Sequence, residues 1–166
     1  MGRYTREDEL KSILEFLAFK KGGEAEGDDL FGIDLNGETL VGIDFCKCVL
    51  NEANFYKCDL SKSNLRDTTL QRADFRKTTL RLTKFERANC IRAKFNDAQI
   101  IQARFNDAVL IHANFSGALL QGVQLQRADL TGAIFENALL KNCDFSGADL
   151  TGVYFTPEQK DSIKKN

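Results

Sequence analysis

The chain predicts a solenoid, neither a helical bundle nor a flat sheet, and three observations carry that prediction. An apolar residue occupies every fifth position from Leu30 to Phe155, with no insertion or deletion. The residue two places before each of these centres is usually small, as at Ala53, Ala73, Ala93, Ala113 and Ala128, with Ser63, Thr68 or Cys58 in the slot elsewhere. Between small residue and centre stands an Asp, Asn or Thr in many repeats, and two mostly polar residues follow. A period of five fits neither the 3.6 of an amphipathic helix nor the 2 of a strand. The chain must turn once per repeat to return each fifth side chain to the same interior.

The elements follow in order. Thr5-Arg6-Glu7-Asp8 reads as a helix start, with Thr5 as N-cap and acidic groups in the first turn. Leu10, Ile13, Leu14 and Leu17 mark one face, and Lys20-Lys21-Gly22 supplies a stop. Residues 1–22 are therefore expected to form an α-helical cap over the first coil. Residues 23–29 are an acidic, glycine-rich connector, and the repeats run over residues 28–155. The first repeats are the least regular: Asp28 and Glu38 occupy small slots, and Ile33 and Ile43 are oversized for theirs. Thr156-Pro157-Glu158 opens a second helical segment, with Pro at the first helical position. It leads a short polar C-terminal cap over residues 156–166.

The phrase Ala-Asp/Asn-Leu/Phe-X-X stands intact at Ala53-Asn54-Phe55, Ala73-Asp74-Phe75, Ala113-Asn114-Phe115, Ala128-Asp129-Leu130 and Ala148-Asp149-Leu150. Here the chain resembles the pentapeptide-repeat family, over residues 28–155. The resemblance implies an all-β fold: a right-handed quadrilateral β-helix of about six coils, four repeats to a coil, with residues i and i+20 stacked. That spacing sorts the centres into columns. One column reads Leu35, Phe55, Phe75, Phe95, Phe115, Phe135 and Phe155, and its opposite Phe45, Leu65, Phe85, Phe105, Leu125 and Phe145. The other two hold leucines, among them Leu50, Leu70, Leu110 and Leu130, apart from Cys90 and Ile100. Phe55, Phe75, Phe95, Phe115 and Phe135 are thus expected to stack in the core with these leucines, each centre worth about 1.5–3 kcal/mol on burial.

Several functional classes find no support. No apolar run approaches a membrane span, and Met1 to Lys11 is too charged for a signal peptide, so a cytoplasmic location is expected. Cys48, Cys58 and Cys143 fall in small slots and Cys90 at a centre, as suits a reducing compartment. Cys46 alone should face out, and no second cysteine pair lies at zinc-site spacing, so no metal and no cofactor is expected. His112 follows a centre by two places and belongs to the surface, without a base–nucleophile partner. A filled, convex rod offers no pocket for catalysis. The chain is read as a non-enzyme.

Function then rests on the outer wall. Residues 56–105 carry 12 basic and 5 acidic side chains, net +7, between flanks of −6 and −2. By the i+20 rule Arg72 stacks on Arg92 with His112 next, and Lys84 stacks on Arg104. Ile91, Ile111 and Val109 form an aliphatic cluster beside Arg92 and His112, and apolar groups bordered by Arg make a plausible anchor for a protein. Ile101, Leu119 and Leu139 form a smaller strip across the rod. The reading is a scaffold for an unidentified protein partner, a monomer or weak homodimer, with Ile91, Arg92, Val109, Ile111, His112, Arg72, Lys84 and Arg104 as the candidate surface. Some members of the family look like duplex DNA and protect DNA gyrase from quinolones, which is the specific alternative. A +7 waist disfavours it, since a DNA mimic needs a continuous acidic surface. Binding of an anionic partner through the belt is the second alternative. Nucleic acid is disfavoured because Tyr56 and Tyr154 alone are placed to stack bases. The family is especially abundant in cyanobacteria, which the resemblance implies for context.

Overall fold

The computed structural model describes residues 28–163. Within them one five-residue unit repeats, and its hydrogen bonds explain its composition. The N–H of the small residue closes a turn on the preceding centre, as Ala53 N to Leu50 O at 3.1 Å and Ala113 N to Leu110 O at 2.9 Å. Each centre donates forward to the next coil, as Leu50 N to Thr69 O at 2.8 Å. The residue before it donates back, as Val49 N to Asp28 O at 2.9 Å, and the second turn residue donates forward again, as Glu52 N to Gln71 O at 2.8 Å. One N–H per unit, that of the first turn residue, is left over. The Asp or Asn before the centre accepts it: Asp59 from Ser61, Asn114 from Ser116 and Asp149 from Thr151, each at 2.9 Å. These residues stand where they do because an otherwise orphaned donor needs them.

The second turn residue takes a positive φ whatever its type: Lys57 at 59°, Arg92 at 58°, His112 at 55°. A turn of this kind requires it. For a side chain with a Cβ the conformation costs roughly 1–2 kcal/mol, which the ladder must offset.

Backbone pairing runs at i+20 throughout. Four short parallel strands, β1 (Thr79–Arg81), β2 (Gln99–Ile101), β3 (Leu119–Gln121) and β4 (Leu139–Lys141), form a sheet in that order, with Leu80 opposite Ile100, Ile100 opposite Leu120 and Leu120 opposite Leu140. Elsewhere the pairing is one residue per coil, as in the series Asp34, Asn54, Asp74, Lys94, Asn114, Ile134. A repeat of five paired at twenty gives a tube with four sides. We name each by one centre: the Leu70, Phe75, Leu80 and Phe85 sides, in chain order.

The interior is filled. Phe55, Phe75, Phe95, Phe115, Leu50, Leu70, Leu110 and Leu130 are inaccessible to solvent and Phe135 nearly so. Phenylalanines in one column lie face to face, Phe75 on Phe95 with centroids 5.0 Å apart and planes 3° apart. Rings from the two opposed columns meet edge to face, Phe95 and Phe105 at 87°. Both arrangements suit the ring quadrupole. Where a small slot holds a buried hydroxyl, a carbonyl accepts from it: Ser63 Oγ donates to Leu40 O at 2.6 Å and Thr83 Oγ1 to Leu60 O at 3.0 Å, each from one coil to the one before.

The far end closes with α1 (Pro157–Ser162). Thr156 caps it, and Gln159 returns a bond to the Thr156 N–H. The Gln159 amide is buried and donates to Phe135 O at 2.8 Å and Ala138 O at 2.9 Å, two carbonyls of the last coil. At the near end the irregular repeats are looser: Leu30, Ile33 and Ile43 are half-buried, and Phe31 and Val41 are exposed. The helix expected over residues 1–22 and most of the connector lie outside the described residues.

Candidate interaction surface

With the core full, three positions per unit face outward: the residue before the centre and the two turn residues after it. Stacking at i+20 makes each a column, and neighbouring residues in a column set the electrostatics. On the corner after the Phe85 side the column reads Lys47, Asp67, Arg87, Asp107, Arg127, alternating in sign. Arg87 donates twice to Asp67, both at 2.7 Å, and Arg127 twice to Asp107, at 2.7 and 2.8 Å. These guanidinium bonds hold both carboxyls below their ordinary range. Beside them Glu86 is buried, bonded to Arg66 at 2.8 Å, with Arg104 at 3.9 Å. Burial alone would raise its pKa, but the Arg66 bond and the two positive charges outweigh that and leave it lowered.

Much of the basic belt is therefore neutralised by the rod itself. Arg72 reaches back to Glu52 at 3.4 Å, and Arg76 is held by Asp74. Apart from Arg76 and Asp74, which are two residues apart, the sequence shows these partners once residues are read twenty apart by sign as well as by size.

The predicted surface residues fall into two separate places. Arg72, Arg92 and His112 are exposed in one column at the corner between the Leu70 and Phe75 sides. A Cβ at Gly132 would lie 2.5 Å from His112 Nδ1, so the imidazole lies over that glycine. Ile91, Ile111 and Val109 lie on the Leu70 side beside them, half-buried rather than fully outward, because branched side chains stacked coil on coil cover one another. Lys84 and Arg104 are ladder partners on the Phe85 side, away from that cluster. On the Leu80 side Leu139 is exposed while Leu119 and Ile101 are half-buried.

Tyr154 is exposed, on the outside where its place in the repeat puts it; periodicity alone does not single out Leu82 and Ile134, which are exposed apolar groups. A shallow groove of about 410 Å³ runs along the corner between the Leu80 and Phe85 sides, lined by Lys62, Leu82, Lys84, Gln102, Arg104, Gly122 and Gln124. Its signal is the pair of columns 62/82/102/122 and 84/104/124 read side by side. A second hollow of about 420 Å³, lined by Ile134, Phe135, Tyr154 and Gln159 among others, lies at the C-terminal end.

The remaining chemistry is quiet. Cys48, Cys58, Cys90 and Cys143 are buried, and burial pushes the Cys58 thiol up to about 11. Among the described residues no three His, Cys, Asp or Glu side chains are grouped to hold a metal ion, and no helix is long and apolar enough to cross a membrane. The Tyr56 ring is covered by Lys57 and Arg76, at 5.2 and 5.5 Å.

A family model for a pentapeptide repeat region matches residues 39–115, and a model of eight pentapeptide repeats matches residues 118–156. Comparison with curated proteins returns no match. Among solved structures the chain is similar to Rfr23, a pentapeptide repeat protein from the cyanobacterium Cyanothece 51142. They are 21% identical, over 89% of this chain and 99% of that one, with a TM-score of 0.57. It also matches QnrB1, a plasmid-mediated fluoroquinolone resistance protein, at 16% identity over 81% of this chain and 86% of that one, TM-score 0.42. A third match is HetL of Nostoc sp. strain PCC 7120, a pentapeptide repeat protein involved in heterocyst differentiation regulation. It is 22% identical over 84% of this chain and 92% of that one, TM-score 0.24. At these identities the Rfr23 match speaks to fold alone.

Proposed function

The chain belongs to the pentapeptide-repeat family, and from that premise we propose that it is a non-enzymatic scaffold binding another protein through its outer faces. The observation that carries this reading is the packed interior: from Leu35 to Phe135 every centre is buried, and the groups free to vary are on the walls. The cluster of Ile91, Val109 and Ile111, bordered by Arg72, Arg92 and His112, is the proposed anchor on the Leu70 side. Half-burial suits an anchor, since such side chains are held in place before a partner arrives. Gln71 and Thr131 flank the two isoleucines in their column, so the wall tolerates polar residues there. The variant Ile91→Asp with Ile111→Asp should fold and should recover about tenfold less partner than wild type in affinity purification from the native cell. Unchanged recovery would remove this surface from the account.

Protection of a type II topoisomerase by DNA mimicry is the reading the charges oppose. Lys62, Lys84, Arg92 and Arg104 stand on the middle coils, where a phosphate-like surface would need acids. Gyrase supercoiling in the presence of ciprofloxacin should show no rescue by this protein; measurable rescue would reverse the order of the two readings.

A further inference from the structure

We infer that the groove between the Leu80 and Phe85 sides is a binding site for an acidic, carboxylate-rich peptide segment of a partner, an inference that rests on the scaffold reading. Lys62, Lys84 and Arg104 line it from three successive coils. Lys62 and Lys84 make no ion pair among the described residues, and Arg104 has only the 3.9 Å contact with Glu86. One corner away, the alternating Asp67, Arg87, Asp107 and Arg127 show how this rod neutralises a charged column when nothing else is to bind it. In the groove the ladder instead sets Lys84 directly on Arg104, like charge on like. Such a pair is destabilising unless an anion lies across it.

The spacing selects the form of the anion. Coils are about 4.8 Å apart, so the three cations climb roughly 10 Å along the rod. Alternate side chains of an extended peptide lie about 6.6 Å apart on one face, within reach of long Lys and Arg side chains at that rise. The Gln102 and Gln124 side-chain amides add neutral donors to the same groove.

Leu82 favours a peptide over a nucleic acid. It sits in the column of Gly42, Lys62, Gln102 and Gly122, at φ 57° and 42% exposed. Glycine or a polar residue satisfies this turn in the other coils; here the same turn displays an apolar side chain between the cations. No aromatic ring lines the groove to stack a base.

The test is fluorescence anisotropy on the full chain, with a labelled decapeptide carrying Asp or Glu at every second position and one central Leu. A labelled dodecathymidylate and unlabelled inorganic phosphate serve as comparison ligands. At about 50 mM salt the peptide should bind, and Lys84→Gln with Arg104→Gln should weaken it about tenfold. Asn64 and Gln124 already occupy the same column, so this variant keeps the fold, which a thermal melt by circular dichroism verifies. Leu82→Gly should weaken binding about threefold while leaving the melt unchanged or raised, since glycine relieves the positive φ. Lys77→Gln with Lys94→Gln, exposed cations on and beside the opposite Phe75 side, should leave binding unchanged. No binding, an equal loss in the Lys77/Lys94 variant, or tighter binding of the oligonucleotide or of phosphate would overturn the inference. An unbound peptide with a native partner still captured by the Lys84/Arg104 variant would remove the groove and leave the scaffold. A bound peptide with no native partner captured would count against the scaffold alone.

Discussion

Ser63 and Glu86 show how a single residue in this chain answers to the coil next to it. The Ser63 hydroxyl is buried and its partner is the Leu40 carbonyl one coil earlier. Alanine fits that slot in many other repeats, so Ser63→Ala should cost about 1 kcal/mol, the net worth of one hydrogen bond, in urea unfolding. Glu86 is held charged inside the wall by Arg66; Glu86→Ala should cost about 1–3 kcal/mol by the same measurement, since it strips that charged bond from a partly buried site. The depressed carboxyls of Asp67, Asp107 and Glu86 also fix the sign of the acid response. The unfolded chain takes up their protons first. Their contribution is complete above the ordinary carboxylate range of about 4 and is lost as pH falls through the lower folded values. Melting temperatures measured downward from neutral pH should therefore fall less steeply in Asp67→Asn with Asp107→Asn than in wild type.

At the scale of elements, the parallel phenylalanine stack and the closing helix contribute in different ways. Phe95 lies between Phe75 and Phe115 in its column and meets Phe85 and Phe105 edge-on. Phe95→Ala should cost about 3–5 kcal/mol, and Phe95→Leu clearly less, because Leu65 and Leu125 already occupy the facing column. Urea midpoints of the two variants check the order. At the C-terminal end, Gln159→Ala would leave the Phe135 and Ala138 carbonyls without that amide donor. Hydrogen exchange there should speed up in the last coil while the middle coils stay protected, since repeat stability is largely local. The helix start at Thr156-Pro157 was legible from capping chemistry. The inward role of Gln159 was not, because nothing in a sequence of polar residues marks which amide turns back into the core.

For the whole molecule, what was legible divides by periodicity. The fifth-position centres and the small slots follow from a strict repeat, where one position constrains all others like it; the i+20 pairing, and with it the columns of Phe and Leu, comes from the family resemblance and is what the ladder shows. The walls carry no such redundancy. Arg72 reads as a stack on Arg92 until Glu52 is placed on its other flank, and Ile91 and Ile111 read as outward until stacking half-covers them. The Lys62–Lys84–Arg104 groove joins two columns separated by a turn, so no single period exposes it.

The central claim is that the core holds the rod and the walls do the recognising. It is tested most directly by a variant whose outer residues are replaced with their own column neighbours: Ile91→Gln, Ile111→Thr, Lys84→Asn and Arg104→Gln. Each new residue already stands one coil away as Gln71, Thr131, Asn64 or Gln124. The melting temperature should stay within a few degrees of wild type, as surface changes away from special sites cost about 0.5 kcal/mol or less each, while capture of the native partner is lost. Wild-type capture by this variant, or a collapse of its melt, would contradict the account.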